Sequence, residues 1–266
     1  MIPLVRPWTE QPDTTAIVRS DVASLYVPGI GLSDLTGGHP PINPGTQKVL
    51  PYIHGKALFV GAASQVTTGS IVRGITTGVT LVLAVKKTVG ITGGDFIWGE
   101  HETSNGGYNY GMYESIFNDN LQMYVHNGSS AVSASSACAT TDPVAVFVGT
   151  YGDGDNNVRI YKNGRQQASA AHSGPVRRLS TAPLRSCFWN SGGPNCYIYA
   201  AAVIPACLPA AAVGERFGSF AKMWNGLFEP RCIYVPFAAA AGTPTLTDPG
   251  WLVSGNQLTP RGNYAF

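Results

Sequence analysis

The sequence predicts an all-β protein of the sandwich or barrel type, and three observations lead to this prediction. Charged residues make up only 12% of the 266 residues, whereas 32 glycines and 19 prolines are present. A helical protein would carry more Lys, Glu, Leu and Arg. Short β-branched and aromatic segments recur at fairly regular spacing between turn residues. No long amphipathic helix separates these segments, which argues against alternating strands and helices.

The individual strands are predicted from about residue 56 onward. Asn-Gly pairs in NGGYNYG and HNGSS are the strongest two-residue hairpin signal. The predicted strands are KALFVG, GVTLVLAVKK, DFIWGEH, YNYGMYES, LQMYVHNG, PVAVFVGTY, NVRIYKNGRQQASA, APLRSCFWN and CYIYAAAVIP. The segment LPAAAVGERFGSFAKMW predicts two short helical turns, because Pro209 stands near its start while Gly214 and Gly218 weaken a longer helix.

The two ends of the chain carry little signal for regular structure and are predicted to be extended arms. Prolines keep residues 1–20 out of helices and central strands. We expect residues 21–230 to form the sandwich and residues 231–266 to form a C-terminal extension. Since an extended arm cannot bury enough surface alone, both arms are expected to dock on neighbouring subunits. The expected apolar anchors are Trp8, Tyr234, Phe237 and Trp251.

Charge and composition exclude several classes of function. The net charge of +2 gives no basic field that would favour nucleic acid. The start, MIPLVRPWTEQPD, has no secretory apolar region, and prolines break the Ala-rich segment 197–213. We therefore expect a soluble protein made in a cytoplasm, without membrane insertion. The five cysteines include no C-x-x-C pair, so small buried thiols are favoured over disulfides or a zinc site.

The stretch YGDGDNNVRIYKNGR poses the choice between a metal loop and a turn. From Asp153, the third and fifth positions fit a calcium-binding EF-hand, but Val158 and Gly164 occupy the sixth and twelfth. A looser calcium site on Asp153 and Asp155 stays open as an alternative. The favoured interpretation is turn, strand and turn, with Val158 and Ile160 on one face of the strand. No metal and no cofactor are expected.

Catalytic signatures are sparse. Glu100 and Glu102 point to one face of a predicted strand, as a pair of carboxylates in a glycan hydrolase would need. The alternative is a solvated strand end, which we favour. The chain has no G-x-S-x-G nucleophile motif and no G-x-x-x-x-G-K-[ST] phosphate loop.

Aromatic side chains are the remaining candidates for ligand binding. An exposed aromatic ring on a β-sandwich can stack against the apolar face of a sugar. Such rings more often belong to the core or to an interface. The candidates for a glycan site are Tyr108, Tyr110, Tyr113 and Trp189.

The order of motifs resembles laminin-G-like, concanavalin-A-like jelly rolls over about residues 55–225. The segment PVAVFVGTYGDGDNNVRIYKNGRQQASA is similar to that family's central strand–turn–strand motif, and APLRSCFWNSGG and CYIYAAAVIPACLPAAAVGERF follow in the family's order. Ser186-Cys187 and Ala211-Ala212 depart from its Ile-Gly pair and its acidic helix residue. The resemblance implies an all-β jelly-roll β-sandwich of two antiparallel sheets with extended N- and C-terminal arms.

The flanks RPWTEQPD and NGLFEPRCIYVP resemble those of jelly-roll proteins from tailed bacteriophages and prophages. In the second flank, Trp224-Asn225-Gly226 departs from the usual order. This resemblance implies a non-enzymatic virion structural protein, a tail-fibre or tail-associated subunit present in several copies. It would be located in the virion and bound to other virion proteins. The alternative is a carbohydrate-binding adhesin for a host surface glycan, and the third possibility is a glycan hydrolase of the same fold.

Overall fold

The described part of the chain folds into two large antiparallel sheets, with a pair of helices on one outer face, and two small sheets of two strands each. The computed structural model describes residues 2–8, 10–43, 48–61, 66–67, 78–88, 95–101, 108–115, 120–127, 129–152, 154–176, 184–188, 195–235, 251–254 and 257–260. The strands are β1 (Ile2–Arg6), β2 (Ser24–Tyr26), β3 (Lys48–Tyr52), β4 (Gly55–Val60), β5 (Val66–Thr67), β6 (Gly78–Lys87), β7 (Asp95–His101), β8 (Tyr108–Ser115), β9 (Asn120–His126), β10 (Ala131–Ala137), β11 (Ala145–Gly152), β12 (Asn157–Lys162), β13 (Arg165–Ala171), β14 (Leu184–Phe188), β15 (Cys196–Ile204), β16 (Arg231–Val235), β17 (Trp251–Ser254) and β18 (Gln257–Pro260). The helices are α1 (Ala210–Phe217) and α2 (Phe220–Leu227).

Two sheets form the sandwich in the described part of the chain. The larger sheet has the order β13-β12-β11-β6-β15-β4-β3, with β2 paired beside β15. The smaller sheet has the order β10-β9-β8-β7-β14-β5. Their pairings are antiparallel. The prediction of an all-β sandwich of two antiparallel sheets is therefore confirmed.

The central strands of the larger sheet are buried on both faces, which explains their continuous apolar runs. In β6, Leu81 and Leu83 face the smaller sheet, whereas Val82 and Ala84 face the helices. One hydrophobic cluster thus fills the space between the sheets, and a second lies between the larger sheet and the helix pair. We call the helix-covered side the outer face of the larger sheet.

The helix pair occupies the segment in which the sequence predicts two short turns. In α2, the Ser219 hydroxyl caps the first turn by accepting a hydrogen bond from the backbone N–H of Lys222 at 3.1 Å. Gly164, in the β12–β13 turn, has a φ of +75°, and a Cβ there would lie 2.7 Å from the Cα of Gly218. The glycines that weaken the helix prediction thus let this turn approach the helices closely.

The N-terminal strand packs against the strand that follows the helix pair. Strand β1 pairs with β16, aligning Ile2 with Val235 and Arg6 with Arg231. Trp8 is buried, with 2% of its surface exposed, and belongs to the outer-face cluster. The N-terminal segment is thus held by its own chain at β1 and at Trp8, which completes the core beneath α2. Docking of residues 1–20 on neighbouring subunits stays a prediction.

None of the helices in the described part is long and apolar enough to cross a membrane. Cys138 and Cys196 are buried in the cluster between the sheets, and Cys207 is a free thiol that is partly exposed. The side chains of Cys187 and Cys232 lie outside the described residues.

Candidate functional site

A cleft of about 740 Å³ opens on the outer face of the larger sheet, beside the first turn of α1. One wall comes from the stretch YGDGDNNVRIYKNGR, which carries Asp155 and Arg159, and from Gln166, which follows it in β13. The opposite wall is the segment between β15 and α1, which includes Leu208 and Pro209. The cleft therefore has one wall rich in hydrogen-bonding groups and one largely apolar wall.

The sequence of the polar wall explains its shape. Backbone N–H groups of Asp155 and Asn156 donate to the Gly152 carbonyl at 3.1 and 3.0 Å, closing a tight turn. Asn156 adopts a φ of +52°, a conformation that Asn tolerates. The following strand alternates, and the buried Ile160 faces the core between the sheets. Arg159 is consequently directed toward the outer face, as the interpretation of turn, strand and turn predicts.

An ion pair fixes the two charged groups of the polar wall. One guanidinium nitrogen of Arg159 (Nη2) donates to Oδ1 of Asp155 at 2.8 Å, and the other (Nη1) donates to Oδ2. The hydrogen bond from Arg159 lowers the pKa of Asp155, so the carboxylate is charged at neutral pH. Because exposed ion pairs contribute little to stability, the main effect of this pair is to orient both groups at the cleft.

The ion pair also involves Asp155, one of the two residues of the calcium site that the sequence leaves open as an alternative. Both carboxylate oxygens of Asp155 accept hydrogen bonds from Arg159, and Oδ1 also accepts one from Asn157 Nδ2 at 3.3 Å. Asp153 lies outside the described residues. Within the described ranges, no group of three or more His, Cys, Asp or Glu side chains is placed to hold a metal. A calcium ion would have to compete with the guanidinium for Asp155.

Thr80 of β6 holds the apolar wall in place. Its hydroxyl donates to the Ala206 carbonyl at 2.7 Å and accepts from the backbone N–H of Leu208 at 3.0 Å. Burial raises the pKa of the nearby Cys207 thiol and of the Tyr161 phenol. A neutral thiol is a poor nucleophile. The groups of the cleft are therefore suited to bind a ligand by hydrogen bonds and apolar contact.

Of the aromatic side chains that the sequence suggests for a glycan site, the structure describes only that of Tyr110, which does not line this cleft. Tyr110 has none of its surface exposed and packs in the cluster between the sheets. Because its ring completes the core, Tyr110 is removed from the side chains that could stack on a sugar. Trp189 lies outside the described residues, as do the side chains of Tyr108 and Tyr113.

The structure describes one member of the carboxylate pair considered for glycan hydrolysis. Glu100 is 2% exposed and lies opposite Tyr110 across the β7–β8 pair. Burial and the Glu100 carboxylate raise the pKa of Tyr110 well above its usual value. Glu102 lies outside the described residues. Glu100 thus points into the sandwich, where a glycan substrate cannot reach it.

Of the four side chains expected to anchor partner subunits, the structure describes only that of Trp8. The Trp8 ring is packed inside its own chain, so it is not available as an anchor for another subunit. The backbones of Tyr234 and Trp251 lie in β16 and β17, and their side chains are outside the described residues, as is all of Phe237.

Sequence reasoning missed the apolar wall of the cleft. Leu208 and Pro209 are about 50 residues from Asp155 along the chain, and only the pairing of β11, β6 and β15 brings them together. No local pattern in either segment signals this contact. The polar wall, by contrast, lies in a stretch whose turn chemistry can be recognised directly.

The sequence matches no protein-family model and no curated protein sequence. Its fold is similar to that of several solved structures. Domain 4 of an extracellular arabinanase from Geobacillus stearothermophilus, in complex with arabinotriose, matches with a TM-score of 0.58 and 16% identity, covering 74% of this chain and 97% of that one. A botulinum neurotoxin type C structure, whose toxin depends on two ganglioside molecules for cell entry, matches with a TM-score of 0.56 and 13% identity, over 75% of this chain and 50% of that one.

The ligand-binding domain of botulinum neurotoxin serotype D, in complex with N-acetylneuraminic acid, matches with a TM-score of 0.55 and 9% identity over 72% of this chain and 49% of that one. The protein thus spans about half the length of these neurotoxin chains and nearly all of the arabinanase domain. At such low identities these similarities establish the fold, a jelly-roll-like β-sandwich. Membership of the laminin-G-like family and of the phage proteins stays a prediction.

Proposed function

We propose that this protein is a non-catalytic carbohydrate-binding module that takes an oligosaccharide in the cleft between the polar turn and the start of α1. The observation that carries this proposal is the difference between the two walls. A sugar ring presents hydroxyl groups around its rim and C–H groups on its faces. The polar wall offers Asp155, Arg159 and Gln166 to the hydroxyls, and the opposite wall offers Leu208 and Pro209 to the C–H faces.

The ion pair makes the polar wall suitable for sugar hydroxyls. A guanidinium has five N–H donors, and Arg159 uses two of them on Asp155. The remaining donors can serve ligand hydroxyls, while the Asp155 oxygens can accept from them. Since the pair is already oriented, less side-chain entropy is lost on binding than for two free side chains.

The solved structures with this fold support a glycan as the ligand. The arabinanase domain is in complex with arabinotriose, one neurotoxin domain is in complex with N-acetylneuraminic acid, and another toxin depends on gangliosides for cell entry. One related neurotoxin domain is in complex with rat synaptotagmin II, a protein receptor. The proposal selects the glycan because the cleft is small and concave rather than broad.

The test uses the full chain and a glycan array, followed by isothermal titration calorimetry on each sugar that binds. Gln166→Ala should weaken binding about fivefold or more, because hydrogen bonds to a ligand contribute about 1 kcal/mol each. Gln167→Ala is the matched control, since the neighbouring residue on a strand points to the opposite face. Equal affinity of Gln166→Ala and the unchanged protein for every bound sugar would refute the cleft as the site.

Two other functions suggested by the sequence are tested separately, a glycan hydrolase in the same experiment and a virion protein in a second one. A glycan hydrolase would release reducing ends from a bound oligosaccharide, whereas a binding module leaves it intact. A virion location, implied by RPWTEQPD and NGLFEPRCIYVP, would make the module a host-attachment adhesin. Co-purification with tail proteins from purified particles tests that location, which stays a prediction.

A further inference from the structure

A second surface on the outer face of the larger sheet concentrates aromatic rings beside cations. We call it the aromatic platform and define it as Tyr52, His54, Phe59, Tyr197 and Phe220. The rings of Tyr52 and Tyr197 are stacked, with centroids 4.0 Å apart and planes 9° apart. Phe59 packs against Tyr197 at 5.0 Å, and His54 packs against Phe220 at 5.5 Å. The platform lies where β3, β4 and β15 meet α2.

The platform is partly exposed but rigidly supported from beneath. Each of its members retains solvent contact, whereas Tyr199 and Trp224 below it are fully buried. Phe220 makes edge-on contacts with both of these rings, at 5.3 and 5.2 Å. Single exposed apolar residues need no explanation, but a contiguous group of aromatic rings often marks a binding surface.

A row of side chains across three strand pairings places cations at both ends of the aromatic rings. Tyr197 lies opposite Phe59 on one side and Lys86 on the other. Phe59 in turn lies opposite Lys48, which is exposed. The row therefore reads Lys86, Tyr197, Phe59, Lys48 and spans roughly 14 Å at the usual strand spacing.

The charge at the Lys48 end is not neutralised within the part of the chain that the structure describes. Lys48 forms no ion pair with any described residue. At the other end, the Lys86 ammonium donates to the backbone carbonyls of Thr140 and Asp142, which keep it in place. Backbone carbonyls do not cancel its charge, although the Asp142 carboxylate, paired with Lys162, lies nearby. The Lys48 end of the surface is therefore better suited to bind an anion than the Lys86 end.

We infer that the aromatic platform is a second glycan-contacting surface and that it selects sugars bearing carboxylate groups. The apolar face of a sugar ring would stack on the exposed parts of Tyr197 and Phe59. A carboxylate on that ring or on its neighbour would pair with the Lys48 ammonium. This inference rests on the proposed function and deepens it, because it names acidic glycans, with uronic or sialic acid residues, as the ligand class.

The experiment measures dissociation constants of the full chain for tetragalacturonate, 3′-sialyllactose and the neutral sugars lactose and arabinotriose. Tyr197→Ala should weaken binding of a carboxylated probe about tenfold. Lys48→Ala should weaken it about threefold, and Lys48→Glu should weaken it further. Raising the salt concentration should reduce the affinity of the unchanged protein but not that of Lys48→Ala. Comparing the two acidic probes distinguishes uronic from sialic acid.

Two matched controls separate the platform from the rest of the molecule. Lys56 lies on the same β3–β4 hairpin, but its register position places it on the opposite face from Ala57 of the outer-face cluster. Lys56→Ala should therefore leave binding unchanged. Gln166→Ala, in the cleft, should also leave binding of the carboxylated probes at the platform unchanged. Lys48 is exposed, so its variants should fold normally even where Tyr197→Ala does not.

Each contrary outcome has a defined meaning. Equal affinity of Lys48→Glu and the unchanged protein for the acidic probes would overturn the inference, as would an equal loss in Lys56→Ala. Loss of acidic-probe binding in Gln166→Ala alone would overturn the inference while supporting the cleft. If no acidic probe binds but arabinotriose binds and depends on Gln166, the inference fails and the proposed function survives. Binding of an acidic protein but of no glycan would refute both.

Discussion

The side chain of Asn225 forms two hydrogen bonds with the backbone of Trp8, which lies 217 residues earlier in the chain. The Trp8 N–H donates to Oδ1 of Asn225 at 2.5 Å, and Nδ2 of Asn225 donates to the Trp8 carbonyl at 2.9 Å. The indole N–H of Trp8 adds a third bond, to the Glu229 carbonyl at 2.9 Å. The guanidinium of Arg231 lies 3.8 Å from the Trp8 ring centroid. The N-terminal segment is thereby joined to α2 and the segment after it.

Asn225→Ala should lower the free energy of unfolding by about 1–3 kcal/mol, because two partly buried backbone groups of Trp8 lose their partner. Guanidinium denaturation followed by tryptophan fluorescence measures this change. Lys222→Ala, an exposed position on the same helix, is the control and should change the midpoint little. Equal stability of Asn225→Ala and the control would show that the bonds to Trp8 do not hold the N-terminal segment.

Gly99→Ala should destabilise the smaller sheet by about 1–3 kcal/mol. Gly99 lies opposite Gly111 across the β7–β8 pair, and a Cβ at Gly99 would be 2.4 Å from the Gly111 Cα and 2.5 Å from the Tyr110 carbonyl oxygen. Both obstacles are backbone atoms, so the strands themselves would have to separate. A Cβ at Gly31 would meet no atom within 4 Å, which makes Gly31→Ala the matched control. Thermal unfolding of the two variants should differ clearly, and indistinguishable midpoints would contradict the close strand contact.

Stability should fall as the pH is lowered below about 6.5, because of His172. This side chain is buried, its Nε2 has no hydrogen-bond partner among the residues that the structure describes, and burial lowers its pKa from 6.5. The unfolded chain therefore binds a proton at a higher pH than the folded chain, so stability rises with pH through this range. The loss should be complete once the pH has fallen below the folded-state pKa.

Denaturation midpoints between pH 7 and pH 5 measure this dependence in the unchanged protein and in His172→Gln. The variant should lose most of the slope in this window. Carboxylates such as Asp155, whose pKa is lowered by Arg159, titrate at lower pH and so contribute in a separate range. An undiminished slope in His172→Gln would assign the effect to other groups.

Thr80→Val should weaken ligand binding at the cleft without changing the polar wall. The substitution leaves the Ala206 carbonyl and the Leu208 N–H without their shared partner, at a cost of about 1–3 kcal/mol. The apolar wall should then lose its fixed position. Calorimetry with a sugar that binds the cleft should show weaker binding, whereas binding of tetragalacturonate at the aromatic platform should persist. Unchanged binding at the cleft would mean that other contacts hold this wall.

The sequence predicts the sheets well because their signals are local. The alternation in NVRIYK places Ile160 in the core and directs Arg159 outward, and the glycine and Asn-Gly turns divide the strands where the structure divides them. The runs in β6 and β11 are apolar throughout, which is typical of strands buried on both faces. These patterns depend only on neighbours along the chain.

The site is harder to predict because its parts meet only in the folded chain. Tyr110 and Tyr197 both lie in aromatic strand segments, yet one is fully buried between the sheets and the other is partly exposed on the outer face. Their difference depends on which sheet and which neighbours each strand joins. Trp8 likewise lies in a proline-rich segment that predicts an exposed anchor. Its burial, however, depends on a helix more than 200 residues away in the chain.

Strand β15 places Tyr197 near its start, and the Ala206–Ala210 wall of the cleft follows its end. From Tyr197 to the end of β15 at Ile204 the chain advances by seven residues, about 23 Å at the usual rise per residue, and the surrounding sheet keeps that spacing fixed. A short oligosaccharide can occupy only one surface at a time, whereas a polysaccharide long enough to reach both gains a high effective concentration for its second contact. Strand β15 thus fixes the distance between the two surfaces. Avidity should rise steeply with glycan length once the glycan is long enough to span that distance.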